Sequence, residues 1–295
     1  MILDMAIGDA FGACFEFADK KTIDDYLQNH KYLRYMQHPR HKDITPGNYT
    51  DDAQMASVVA EVMLSGKFTK QRLADEWVKR FKHDERKGYS RGFYAFLQTC
   101  NNGSDLLSKI ENRSSKSGAA MRAPPIGLYM DKNAVKQKAR IQGEITHSGS
   151  GVEAAVASAL MVYYFYHMKG QKSGLKKFIA KEVNPLYNRS WHGKANSQGW
   201  ECVSAAIQAV VDNNNIPDLL KQCISYGGDT DTVAAIAMAA ASVCPEYRTQ
   251  HNKYGKGWNK RLPRNLYNGL EPEKTRNFGR EYLKSLDQRL FSKFK

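Results

Sequence analysis

"GGDTDTVAAIAMAAAS", Gly227 to Ser242, joins a glycine pair and an acidic stretch to a run of small apolar residues. Alanine is the strongest helix former, and a helix faced with alanine lets its neighbours approach closely. The run that starts at Asp231 therefore predicts a helix at the centre of a bundle. Helical spacing of apolar residues recurs in "DDAQMASVVAEVMLSG" from Asp51, "QRLADEWVKRF" from Gln71, "SGVEAAVASALMVYYFYHM" from Ser150 and "GWECVSAAIQAVVDN" from Gly199. Strict alternation is rare and short. Between these segments lie "CNNGS", "NRSSKSG" and "YNRSWHGKANSQG", which carry turn chemistry and are too short for an interdomain linker. No fixed-period repeat occurs. The expectation is an all-α protein, one compact multi-helix domain spanning 1–295, with a basic C-terminal segment from about 251.

Composition narrows the class. Of 295 residues, 42% are hydrophobic and 25% charged, too apolar for a disordered chain. The longest apolar run, Ala154 to Met168, falls short of the roughly 20 residues that span a bilayer, so no membrane partner is expected. The opening "MILDMAIGDAFG" carries Asp4 and Asp9 and lacks a basic start, unlike a signal peptide. Five widely spaced cysteines, with no Cys-x-x-Cys pair, speak against zinc or redox work and predict a reducing cytoplasm. The net charge is +14, and from His251 onward twelve Lys and Arg stand against four Asp and Glu. Such a segment meets nucleic acid or an anionic ligand, or is a solvated face, and charge alone leaves these open.

The acidic stretch at Asp229 has a twin. "GNYTDDAQM", Gly47 to Met55, also runs from glycine through hydroxyl and carboxylate groups into an amphipathic helix. Thr and Asp are good N-caps, and acids in a first turn suit the helix dipole. A cap, however, needs one oxygen, whereas Thr50, Asp51, Asp52, Asp229, Asp231 and Thr232 offer many. If the two starts face each other, their oxygens repel unless hard cations such as Mg²⁺ lie between them. The N-terminal "GDAFGACFE" adds an acid of its own, Glu16, behind glycines that allow close backbone approach, while its Asp9 reads as another cap. Spacing leaves Glu16 open between a surface acid and an acid, base or movable ligand beside a metal centre.

These residues resemble the ADP-ribosylglycohydrolases, the group of dinitrogenase reductase-activating glycohydrolase and the ADP-ribosyl-acceptor hydrolases. The resemblance runs from about Gly8 to about Glu271. "TDDAQM" and "GGDTDTVAAIA" are its most specific elements, supported by "GDAFGACFE", "GYSRG" at Gly88, "SGAAMR" at Ser117 and "THSGSG" at Thr146. It implies an all-α fold around a central two-metal site, usually magnesium or manganese. Position by position it implies Thr50, Asp51, Asp52, Asp229, Asp231 and Thr232 as metal ligands and Glu16 as the catalytic acid or base. For the ADP-ribose pocket it implies Gly88, Tyr89, Ser90, Ser114, Ser117, Gly118 and His147. The chain departs from the family pattern at Ser90, where glycine is common, at Lys116-Ser117-Gly118, where Gly-Asn-Gly is common, and in "THSGS", which lacks a second histidine.

The resemblance implies metal-dependent hydrolysis of the glycosidic bond between ADP-ribose and an acceptor on a macromolecule, with arginine-linked protein the first expectation. Serine linkage, a small ADP-ribosyl metabolite and ADP-ribosylated nucleic acid stay open, as does a non-catalytic ADP-ribose-binding protein on the same scaffold. A two-metal phosphohydrolase ranks last, because helical enzymes of that kind recruit several metal-binding histidines, and here neither acidic cluster holds one; the single His-Asp doublet, His83-Asp84, stands apart from both.

Overall fold

The computed structural model describes residues 1–248, 262–271 and 278–295. The start of the basic segment expected from about 251, including Lys253, Lys256 and Lys260, lies outside the described residues. In chain order the α-helices are α1 (Ile2–Gly12), α2 (Lys20–Asn29), α3 (Asp51–Ser65), α4 (Lys70–His83), α5 (Arg91–Thr99) and α6 (Gly103–Lys109). There follow α7 (Gly118–Met121), α8 (Lys132–Gly143), α9 (Gly149–Tyr166), α10 (Leu175–Glu182), α11 (Gly199–Asp212) and α12 (Ile216–Ser225). The chain continues with α13 (Thr230–Val243), α14 (Pro245–Arg248), α15 (Arg264–Gly269) and α16 (Arg280–Lys293). No strand occurs among the described residues, so the fold is all-α. No described helix is long and apolar enough to cross a membrane, and all five cysteines are free and buried.

Helices α1 and α13 form the axis of the bundle, and every residue of both is buried. Gly8 and Gly12, one turn apart on α1, set their distance. A Cβ on Gly8 would stand 2.5 Å from the Ala234 carbonyl oxygen, and one on Gly12 2.4 Å from that of Thr230. This contact brings the end of α1, and Glu16 just beyond it, to the start of α13.

Two carboxylates on distant elements then lock the helix ends. Asp9, midway along α1, accepts from the Thr50 amide at 3.0 Å, the Ala53 amide at 2.9 Å and the Thr50 hydroxyl at 2.8 Å. It supplies the N-terminus of α3 with a cap from another helix, satisfying donors that a helix start leaves open. At the far end α3 stops at Gly66, which adopts φ 78. Asp287 of α16 likewise accepts from the amides of Ile2 at 2.8 Å and Leu3 at 3.1 Å, capping α1. Three isolated bridges, Ser114 with His147, Lys116 with Gln198 and Ala195 with Gly228, lace together the loops that open beside α7, α9 and α13.

Candidate active site

The glycine pair before α13 is required by geometry. Gly227 and Gly228 adopt φ 66 and 83, and a Cβ on Gly228 would lie 1.8 Å from the Ala195 carbonyl oxygen. The turn is held by Phe17, whose amide donates to Gly228 O at 2.7 Å, and by Asp229, whose amide donates to Ala195 O at 2.8 Å. Thr50 and Asp229 occupy the N-cap positions of α3 and α13, yet neither side chain caps its own helix. The simple capping reading therefore fails at both starts.

The side-chain oxygens converge instead. One oxygen each from Glu16, Asp229 and Asp231 lies within 4.8 Å of the others, and Asp51, Asp52 and Thr232 line the same cleft. Among the described residues none of these acids pairs with a lysine or arginine. Asp52 Oδ1 and Asp231 Oδ1 are buried with no hydrogen-bond partner. Burial, reinforced by the neighbouring carboxylates, holds Asp51, Asp52 and Asp231 well above the ordinary carboxylate range. The half-buried Glu16 is pushed up to about 8, first by burial and then by the charges of Asp229 and Asp9. Burial raises Asp9 to about 6 against its three donors.

Buried, unpaired carboxylate oxygens are unfavourable alone and suit hard divalent cations, which bind oxygen ligands. The Thr50 hydroxyl gives its proton to Asp9, leaving its lone pairs as acceptors, and Thr232 sits beside Asp52. The residues present fit a metal centre.

The cleft encloses about 530 Å³, in the range of small-ligand sites. Phe93, Phe96, Ile110 and Met121 form its apolar walls. All the sequence-predicted residues line it except Thr50, which is buried and bonded to Asp9, and Tyr89. Gly88, at φ 105, lets the chain pass so near that a Cβ would stand 2.3 Å from Asp51 Oδ1. Ser90 begins α5 and Ser114 bridges to His147. Ser117 uses its hydroxyl proton on Asp229 Oδ2, at 2.7 Å, and so orients an acid of the cluster. Tyr89 departs from expectation. Its hydroxyl donates to Gln54 Oε1 at 2.7 Å, and that bond holds the ring edge-on against Phe81 and tilted against Phe93.

Sequence reasoning missed two supporting residues. Asp9 appeared as an ordinary cap, and its signal was a carboxylate between two glycines in an otherwise apolar segment. Arg122 closes "SGAAMR" and is fully buried over the Trp77 ring, 4.2 Å from its centroid. It donates to Gln142 Oε1 at 2.6 Å and to Thr146 Oγ1 at 2.8 Å, and burial lowers it to about 9. Among the described residues His147 Nδ1, 2.7 Å away, is the one acceptor within reach of the Thr146 hydroxyl proton, and the hydroxyl donates there. Hydrogen bonding thus assigns His147 the tautomer protonated at Nε2. His147 Nε2 is buried at the cleft with no hydrogen-bond partner among the described residues. Burial and then the Arg122 charge push His147 down to about 3, keeping the ring neutral.

The sequence model of the ADP-ribosylglycohydrolase family matches residues 1–247. The chain belongs to the ADP-ribosylglycohydrolase family. It is an enzyme of the class that hydrolyses glycosyl bonds to ADP-ribose. Among curated relatives, the ADP-ribosylarginine hydrolase Tri1 of Serratia proteamaculans is 23% identical over 257 residues, covering 79% of this chain and 67% of the relative. The ADP-ribosylhydrolase ARH3 of Xenopus tropicalis is 25% identical, covering 81% and 84%. The ADP-ribosyl-[dinitrogen reductase] glycohydrolase of Rhodospirillum rubrum is 26% identical, covering 80% and 81%. A solved structure described as an ADP-ribosylglycohydrolase-related protein complex superposes with a TM-score of 0.73 at 20% identity, covering 100% of this chain and 96% of that one. At that identity the likeness shows the shared fold.

Proposed function

We propose that this family member releases ADP-ribose from a modified protein side chain, arginine-linked first, using two divalent cations, Mg²⁺ or Mn²⁺. The cations would be held by Thr50, Asp51, Asp52, Asp229, Asp231 and Thr232. The observation that carries the reading is the pair of buried, unpartnered oxygens, Asp52 Oδ1 and Asp231 Oδ1, inside a convergent acidic cluster at the floor of a ligand-sized cleft. Two relatives support the acceptor by name, one an ADP-ribosylarginine hydrolase and one a glycohydrolase of ADP-ribosyl-dinitrogen reductase. The free, buried cysteines support a reducing compartment, the cytoplasm.

Bound cations supply Lewis-acid charge and lower the pKa of a bound water. The protein's own groups do the rest. The bond to the anomeric carbon breaks through a cation-like transition state, which nearby carboxylates favour. Glu16 stands at the edge of the cluster, where it gives a proton to the departing atom and takes one from the attacking water. Ser117 holds Asp229 in place. Phe93, Phe96 and Ile110 cover the apolar part of the ligand and exclude water, and the His147 Nε2–H donates to one of its acceptor atoms.

Asp52→Asn and Asp231→Asn test this reading, because each removes a ligand charge at nearly constant volume. Each is expected to remove most turnover and weaken divalent binding in calorimetry, with the helical circular dichroism unchanged. Wild-type turnover in either variant would sink it.

A further inference from the structure

Glu16, Gly88 and Ser90 line two cavities at once. Behind them, away from the cleft, lies a second depression of about 360 Å³ bordered by His41, Asp43, Ile44, Lys87, Arg91 and Tyr94. We propose that this depression is the acceptor subsite and that it takes a modified side chain carried in an acidic stretch of protein. The inference rests on the hydrolase reading above and extends it to the substrate's flanking sequence.

Position is the first argument. A residue that protonates a leaving atom must touch that atom while the sugar lies on its other side. Glu16 is a wall of both cavities, so with ADP-ribose in the larger cleft the acceptor leaves through the smaller one.

The far wall is also fastened to Glu16. His38 is buried, and its Nδ1 accepts from the amides of Arg40 at 3.0 Å and His41 at 2.8 Å. Its proton therefore sits on Nε2, which donates to the Glu16 carbonyl oxygen at 2.7 Å. Arg40 reaches the carbonyl of Phe17. The turn from 38 to 41 is thus pinned to the backbone at Glu16 and Phe17.

Charge supplies the chemical class. Lys87 is exposed and only loosely paired with Asp43, at 3.5 Å. Arg91 is exposed and makes no ion pair among the described residues. The nearby acid Glu85 is engaged by the Tyr94 hydroxyl. A rim with Lys87 and Arg91 attracts acidic side chains and repels basic ones.

Nucleic acid would also meet a cationic rim, but single strands are recognised by stacking bases on open aromatic faces. Here Lys87 Nζ stands over the Tyr94 ring, 5.7 Å from its centroid, and Tyr89 lies against Phe81 and Phe93. Both tyrosines of the lining are thus engaged, which favours an acidic peptide over a base-stacking ligand.

The test is a competition between peptides bearing one ADP-ribosylated arginine flanked by glutamates, by serines or by lysines, with Mg²⁺ present. Wild-type protein is expected to cleave the glutamate-flanked peptide about fivefold faster than the lysine-flanked one, the factor that two exposed ion pairs supply. The preference should shrink as salt rises. In Lys87→Glu/Arg91→Glu protein the ratio should fall to one or invert. A wild-type ratio of one, or a ratio untouched by the double charge reversal, overturns the subsite. Faster cleavage of an ADP-ribosylated oligonucleotide than of the acidic peptide overturns the choice of a protein acceptor. If arginine-linked peptides are inert, the same ratio is read on serine-linked ones. Inertness of both linkages overturns the hydrolase reading itself, and the subsite with it.

Discussion

Replacing Glu16 with glutamine removes a charge that the metal-free fold resists, and the size of the effect follows from the titration shift. The carboxyl moves from an ordinary value of 4.5 to about 8 on folding, chiefly through burial. A raised carboxyl stabilises the fold fully below its unfolded value and loses that contribution as pH climbs toward its folded value. At pH 7 about two and a half pH units of that interval have been crossed, which at about 1.4 kcal/mol per unit is up to about 3 kcal/mol. Glutamine keeps the volume and carries no charge. With chelator present, urea denaturation followed by circular dichroism is expected to give equal stabilities for wild type and Glu16→Gln near pH 4.5. The variant should lead by up to about 3 kcal/mol at pH 7. Saturating Mg²⁺ should narrow the gap, because cations among the carboxylates compensate the charge, while turnover stays lost in the variant. Equal midpoints at pH 7 in chelator would refute the claim that the cluster strains the metal-free fold.

Two further substitutions probe the surroundings. Gly88→Ala drives a Cβ to within 2.3 Å of Asp51 Oδ1 at a left-handed φ, and is expected to weaken divalent binding at least about tenfold, the equivalent of a 1–3 kcal/mol overpacking strain. Isothermal calorimetry on folded variant reads it, and unchanged affinity contradicts the close approach. Thr146→Val breaks the link from Arg122 to His147. Nitrogen chemical shifts of His147 should lose the single Nε2–H tautomer and ADP-ribose should bind about tenfold more weakly, as for one buried hydrogen bond, with divalent affinity retained.

Much of this architecture was legible in local pattern. The periodic segments beginning at Asp51, Gln71, Ser150, Gly199 and Asp231 coincide with α3, α4, α9, α11 and α13 to within a residue or two. Their apolar spacing is a local property, and tertiary packing did not override it. Helix α1 did not stand out, because a helix buried on every side has no amphipathic period to detect. Its central place is written in Gly8 and Gly12, but only the partner helix gives those glycines meaning. The acids at Asp51, Asp52, Asp229 and Asp231 announced themselves as too many for caps, and the structure brings them to one cleft with Glu16. The roles of Asp9, Arg122 and Asp287 arise from contacts between residues far apart in the chain, which spacing does not encode. Tyr89 shows the converse: a motif position kept in sequence whose side chain turns toward Gln54 and Phe81.

The most direct test of the account is release of free ADP-ribose from an arginine-ADP-ribosylated protein, measured with Mg²⁺ or Mn²⁺ and again with chelator. The account predicts release that depends on the cation and disappears in chelator. Equal release with and without chelator would contradict the metal centre assigned to the two acidic helix starts.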